Sequence, residues 1–350
     1  MSEIIERTHP GRIIRKSLEA LEMSSKEFSY RTGISERTLS DLINEKGSIT
    51  FDVAEKLSEF FDTDIRYWTN LQTQYTYYLF QKNYSKEIQD DFNCIKPSLS
   101  YLKRILTIED NDDNETIVKK VRSTIKVNKL TLLNQSNSFV SLKEVHTNLP
   151  VHNFERNLWI SLSLTLARQQ KVDDFNKEKL LLYFESIRSM TIQNPEIFMP
   201  ELRQILSECG ISLVLMPYLP KSNIYGATKW LTQKTVMLSI SNRGNKADSF
   251  WFTLFHELAH VLLEHKRYIL CSCSDAEDKD ADCFAKNMLI PKESWNTFIC
   301  DNNFSEKSIR AFANSIGILP EIVHGRLEKE QYIKYGVLDK KFNKKYEILF

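Results

Sequence analysis

Glycine and proline are scarce, at nine residues each in a chain of 350. So few backbone breaks exclude collagen-like and Pro/Gly-rich low-complexity architectures and leave room for long regular elements, mostly helices. Cysteine is thin as well: Cys94, Cys209, Cys271, Cys273, Cys283 and Cys300 are scattered, and no C-x-x-C pair occurs. That excludes the dense disulfide framework of a small secreted domain and points to reduced thiols in a cytosolic protein. No apolar run approaches the roughly 18 residues that span a bilayer. The opening MSEIIERTHP has no apolar stretch and no cleavage signature, so it does not read as a signal peptide. A cytoplasmic protein with no membrane partner is expected. Excess charge of one sign is also missing. With 47 Lys and Arg against 46 Asp and Glu, the net of +1 selects no class of partner.

What is present is hydrophobic material, 42% of the chain, and a length that exceeds one ordinary core. Residues 1–80 read as a compact helical domain. Pro10 opens a first helix, Ser24 or Ser25 caps a second, Gly33 breaks it, Ser35 caps a third, and a fourth runs from Phe51 to Phe61. Residues 81–150 are polar in long stretches and read as a partly helical linker. Residues 151–350 combine helices with two strand-like runs, ISLVLMPYL and VMLSISN, followed by the strongly apolar helix FWFTLFHELAHVLL. A strand followed by two helices gives an α+β unit with a small sheet.

That apolar helix carries the chemistry. His256 and His260 lie four apart, so one helical face presents two imidazoles to one point. Glu257 beside them can act as general base towards a metal-activated water, the logic of H-E-x-x-H. A chance motif on a core helix is the alternative. It is disfavoured because two histidines and a glutamate among Trp251, Leu254, Phe255, Leu258, Val261 and Leu262 need a polar purpose. A catalytic zinc takes three protein ligands and keeps one position open. A third histidine ten residues after the first would give a metzincin, but Lys266 stands there and His265 is one residue off. The remaining source is the acidic cluster Glu277, Asp278, Asp280 and Asp282. Asp278 and Asp282 share a helix face, so one can bind the metal while the other holds a ligand imidazole by its free N–H. Acids at a helix N-terminus have the ordinary alternative role of complementing the helix dipole.

The runs IYGATKWL, VMLSISNRGNKADSFWFTLFHELAHVLLEH and DKDADCFAKNMLIP resemble the ImmA/IrrE family of zinc metallopeptidases, whose pattern is H-E-x-x-H, then E-x-x-A-[ND]-x-F-A, then Leu/Ile-Pro. Ala281, Asp282, Phe284, Ala285, Ile290 and Pro291 match. The resemblance implies a zincin-like domain with Zn2+ as cofactor and Asp278 as third ligand. It also implies that VMLSIS is an edge strand along which a substrate peptide would lie. The family normally has glutamate at position 278. Aspartate is one methylene shorter, so the site must close up or Glu277 must take its place. Tyr225 reads either as a packed aromatic or as a transition-state donor.

The segment SSKEFSYRTGISERTLSDLINEK has the form helix, glycine turn, helix. Ser35, Glu36, Arg37, Thr38 and Asp41 occupy the exposed start of its second helix, where base-reading residues sit, and Thr38, Ser40 and Lys46 can contact phosphate. Residues from His9 to Tyr75 are similar to HigA-type antitoxins of the XRE class, with HPG (His9, Pro10, Gly11) at the start and Trp68, Asn70, Leu71 and Gln72 near the end as marks. Residues 1–80 hold 10 Lys and Arg against 13 Asp and Glu, a net of −3, so one copy would bind DNA weakly and a homodimer would double the contacts. The expected molecule is multidomain: an all-α helix-turn-helix domain, a mainly helical linker and an α+β zincin-like domain. Its expected partners are a double-stranded DNA operator and a protein substrate, or a toxin or repressor. A non-catalytic antitoxin or repressor with a degenerate peptidase domain is the alternative.

Overall fold

The computed structural model describes residues 8–135, 153–263, 269–270 and 276–347. The chain divides into two compact units, Met1–Asp90 and Asp91–Phe350.

The first unit begins with α1 (Pro10–Ala20), α2 (Ser25–Thr32), α3 (Glu36–Ile43) and α4 (Phe51–Phe61). Each start has a local cause: the side chains of His9, Ser24, Ser35 and Thr50 accept the backbone N–H groups of Gly11, Glu27, Thr38 and Val53. Gly33 ends α2 at φ +68°, a conformation that costs glycine nothing. Ile14, Leu18, Phe28, Leu39, Leu42, Leu57 and Trp68 form the core. The marks noted in the sequence are packing devices. A Cβ on Gly11 would stand 1.8 Å from the Leu42 carbonyl oxygen, so α1 meets the backbone of α3 only because position 11 is bare. Trp68 is buried and donates to Thr63, and the Gln72 side-chain oxygen accepts the Ile49 N–H.

Helix α5 (Ile65–Ile95) is continuous through residue 80, where the sequence reading ends its first domain. Its 31 residues contain no Gly or Pro to stop it. Residues 91–135, within the stretch read as a partly helical linker, are largely helical. They contribute α6 (Leu99–Ile105), α7 (Asn114–Ile125) and a 3-10 turn at Leu130–Asn134, and they belong to the second unit. Asp91 explains why. Its fully buried carboxylate accepts from Arg122 Nε at 2.8 Å and from the N–H groups of Leu130 and Thr131 at 2.6 and 3.0 Å. A lone acid in a polar stretch shows no periodicity, so this latch is invisible to hydrophobic patterning. Residues 136–152 lie outside those described.

The second unit continues with α8 (Asn153–Gln169), α9 (Lys177–Ser189), α10 (Pro195–Glu208), β1 (Ile211–Met216), β2 (Gly226–Trp230), β3 (Val236–Ser241), α11 (Ala247–Leu262), β4 (Ile269–Leu270), α12 (Ala276–Leu289), α13 (Lys292–Cys300), α14 (Glu306–Ser315) and α15 (Pro320–Lys329). The sheet order is β1-β3-β2-β4. β3 runs parallel to β1, with Ile211 opposite Val236, and antiparallel to β2, with Gly226 opposite Ile240. This corrects the reading of VMLSIS as an edge strand. All six of its residues are buried, Ser239 and Ser241 included, and it is hydrogen-bonded on both sides, as an interior strand of a covered sheet should be. The core centres on Phe198, Trp251, Phe255 and Leu258, between sheet and helices.

Asp91→Ala would remove the carboxylate shared by Arg122 and the Leu130 and Thr131 amides. The expected loss is about 3–5 kcal/mol, the range for breaking a buried ion pair from one side. Hydrogen exchange at Leu130 and Thr131 in the full chain should accelerate in the variant, and unchanged protection there would contradict the latch.

Candidate functional site

Helix α11 is long, free of Gly and Pro, and buried along nearly its whole length. His256 is 2% exposed, and Glu257 and His260 are fully buried. The i, i+4 spacing brings the two Nε2 atoms within 3.0 Å of each other. Tetrahedral zinc with nitrogen bonds near 2.0–2.1 Å would separate its ligands by about 3.3 Å. His256 Nδ1 lies 2.8 Å from Asp282 Oδ1, and the carboxylate acceptor keeps the proton on Nδ1. The Nε2 lone pair of His256 is thereby turned to the meeting point, so the donor set fits a divalent metal.

Strand β2 fixes the glutamate. The Thr228 hydroxyl donates to Glu257 Oε2 at 2.6 Å. Two residues earlier on the same face, a Cβ on Gly226 would stand 2.6 Å from Glu257 Oε1 and 2.7 Å from Thr253 Cγ2, so any larger residue there would displace the Glu257 carboxylate or Thr253. The sequence reading missed the roles of Gly226 and Thr228. A small residue and a hydroxyl at i, i+2 in IYGATKWL were the only signal, and they acquire meaning once β2 is known to pass over α11. Tyr225, next to Gly226, is 38% exposed, with the Arg243 guanidinium 4.6 Å above its ring.

Helix α12 supplies the acids. Asp282 is half-buried. Burial pushes its carboxyl up, but the hydrogen bond and charge of His256, with Lys329 and Lys286 behind them, outweigh that and hold it below the ordinary range. A depressed carboxyl contributes its hold on His256 above its unfolded-state pKa. That hold is lost only as acid passes through the lowered value. Arg188 and Arg326 anchor the far end of α12. Arg188 Nε donates to the Leu289 carbonyl, and Arg326 Nη1 to those of Lys286 and Ile290. Asp278 lies in α12 one turn before Asp282, and its side chain lies outside those described, as do Cys271, Cys273 and His265.

On α3, Leu39 and Leu42 turn inward. Ser35, Glu36, Arg37, Ser40 and Asp41 are exposed, Thr38 is half-buried, and Lys46 is exposed just beyond the helix. Ser35 is engaged as the N-cap, with its hydroxyl 2.8 Å from that of Thr38, so its first task is structural.

Residues 14–68 match the family described as Helix-turn-helix. A transcriptional regulator of the helix-turn-helix type from Haemophilus influenzae is 30% identical over 93 residues, spanning 26% of this chain and 85% of that protein. The chain belongs to the helix-turn-helix family. Its second unit carries an IrrE N-terminal-like domain, matched over residues 208–332 and classed among the peptidases. Virulence-associated protein I of Dichelobacter nodosus is 31% identical over 68 residues, 19% of this chain and 63% of that one. Among solved structures, an addiction module antidote protein of the HigA family from Coxiella burnetii is 31% identical, spanning 25% of this chain and 96% of that one with a TM-score of 0.24. In this helix-turn-helix protein the IrrE-like match contains α11, β2, β3 and α12, the elements that build the histidine site.

Asp282→Asn keeps the shape of the side chain and removes the charge that orients His256. Divalent-metal affinity should fall about 10–100-fold with His256 and His260 intact, the usual effect of losing such a partner. Competition with a chromophoric chelator measures it, and an unchanged affinity would mean that Asp282 does not tune the site.

Proposed function

We propose that the chain is a cytoplasmic regulator with two working parts. The first domain binds an operator in double-stranded DNA. The second is a zinc-dependent endopeptidase that cleaves a regulatory protein, a repressor or antitoxin, in a stress, phage-defence or toxin–antitoxin setting. One observation carries the peptidase half: two imidazole nitrogens converge 3.0 Å apart beside a buried glutamate that Thr228 holds by hydrogen bond.

In this reading His256, His260 and Asp278 hold Zn2+. When bound, the metal supplies a Lewis acid for the scissile carbonyl and acidifies the attacking water. Glu257 takes a proton from that water and returns it to the leaving amine. Thr228 and the bare Gly226 keep the Glu257 carboxylate in one rotamer, so its basicity is delivered from a fixed position. Asp282 fixes the tautomer of His256. The apolar lining of α11 keeps bulk water away from these charges.

The helix-turn-helix match and the exposed polar start of α3 support the DNA half. Arg37 reads guanine, and Glu36 and Asp41 accept from cytosine amino groups. Thr38, Ser40 and Lys46 hold the backbone, and Ser35, at the start of the helix, faces the base edges. The acidic balance of residues 1–80 makes a homodimer, with its two recognition helices on adjacent half-sites, the form that binds tightly.

The shorter Asp278 favours a second reading, a non-catalytic antitoxin or repressor whose metal site senses rather than cuts. Its signature is zinc binding that alters operator affinity with no partner cleaved.

Glu257→Gln should retain zinc and operator binding while cleavage of a co-expressed partner falls about 10²–10⁴-fold. Cleavage at the wild-type rate would remove Glu257 from the mechanism, and a wild-type protein holding no zinc would end the peptidase reading. Arg37→Ala should weaken operator binding by about 1–3 kcal/mol and relax specificity at one base pair. Electrophoretic mobility shift against operator variants measures both effects, and unchanged binding would contradict the assignment.

A further inference from the structure

A second cluster of metal-ligating groups lies on α15 and the turn that follows it. His324 and Glu328 are four apart on one helical face, and both side chains are buried, at 4% and 8% exposure. Asp339 comes from the turn beyond the helix. A ring nitrogen of His324 and one carboxylate oxygen from each of Glu328 and Asp339 all lie within 4.8 Å of one another.

These groups do not satisfy one another as hydrogen bonds. Glu328 Oε2 is 4.0 Å from His324 Nδ1, and Asp339 Oδ1 is 3.9 Å from Nε2, both well beyond hydrogen-bond length. Asp339 Oδ1 is itself buried, with no hydrogen-bond partner among the described residues. The His324 ring is fixed instead by the Val337 carbonyl, 2.7 Å from Nε2, and by Phe342, stacked on it with centroids 5.0 Å apart. Glu328 Oε1 accepts the Gly336 N–H, which orients its other oxygen. Glu328 faces Nδ1 and Asp339 faces Nε2, each too far for a hydrogen bond, yet one ring nitrogen and one oxygen of each carboxylate stay within 4.8 Å, close enough to draw in around a shared cation with bonds near 2.0–2.2 Å. A buried carboxylate oxygen without a partner is costly, and a cation at this point would supply one.

We propose that His324, Glu328 and Asp339, joined by the Val337 carbonyl, bind a divalent transition-metal ion distinct from that of the His256–His260 site. One imidazole with oxygen donors suits Zn2+ or Mn2+. The ion takes the place of the Nε2 proton, so the Val337 carbonyl, 2.7 Å from Nε2 with the proton between them, draws back to ligand distance as the metal enters, and the half-exposed Asp339 supplies the outer donor. Its role is a clip. It ties the turn at 336–342 to α15, and the chain beyond that turn holds the start of α11. There the Lys344 carbonyl accepts the Ala247 N–H, and Trp251 Nε1 donates to the Tyr346 hydroxyl. The ion would thus brace the helix that carries His256 and His260 without touching the reacting groups.

The test removes the first site and counts what remains. Full-length H256Q/H260Q protein is equilibrated with ZnCl2, freed of loose metal and analysed by mass spectrometry, and in parallel titrated with MnCl2 under electron paramagnetic resonance. The expected result is one tightly held equivalent, lost when D339N or E328Q is added, with the circular dichroism spectrum unchanged. A folded H256Q/H260Q protein that holds neither metal, or holds it regardless of D339N and E328Q, overturns the proposal. Should H256Q/H260Q fail to fold, the same count on D339N alone decides: wild type must hold two equivalents of Zn2+ and D339N one. Equal counts overturn the proposal, and either result leaves the peptidase reading to its own test.

Discussion

Burying two imidazoles and a carboxylate in the apolar helix α11 is the constraint around which the second unit is built. Each of these groups would cost several kcal/mol unpaired in such surroundings. The fold meets that cost with a partner from a separate element in two cases. Thr228 on β2 holds Glu257, and Asp282 on α12 holds His256. The two histidines then face each other across 3.0 Å. An arrangement this specific fixes how β2 and α12 lie against α11. Gly226 is bare because of it, and the end of α12 is anchored by Arg188 and Arg326 for the same reason.

The first unit works differently. Apart from the buried cap His9, its described polar residues lie at or near the surface, and its organisation depends on caps and one close approach, Gly11 against the Leu42 carbonyl. Leu39 and Leu42 bury one face of α3 and thereby expose the other. The proposed recognition residues lie on the solvated face of a helix, whereas the candidate metal ligands of α11 lie on a buried one. The unlike patterning of α3 and α11 already separated the two candidate sites in the sequence.

Much of this was legible from spacing alone. Ser24, Ser35 and Thr50 cap helices whose apolar stripes are clean, so α1 to α4 follow from periodicity and punctuation. The i, i+4 histidines and the pairing of two acids at the same spacing on α12 were readable for the same reason. Three features were not. The Asp91 latch joins positions about forty residues apart through one carboxylate, which no window of sequence reveals. The roles of Gly226 and Thr228 exist only when β2 crosses α11. The order β1-β3-β2-β4 places VMLSIS inside the sheet where the resemblance implied an edge, because strand order depends on pairings between distant segments that no local run displays.

The most direct test of the central claim, that α11 presents a metal centre of peptidase type, is anomalous scattering at the zinc edge from crystals grown with Zn2+. The account predicts a strong peak bonded to His256 Nε2 and His260 Nε2, with a carboxylate of α12 as third ligand and Glu257 beside the open position. A folded, zinc-exposed protein with no peak between those two nitrogens would contradict it.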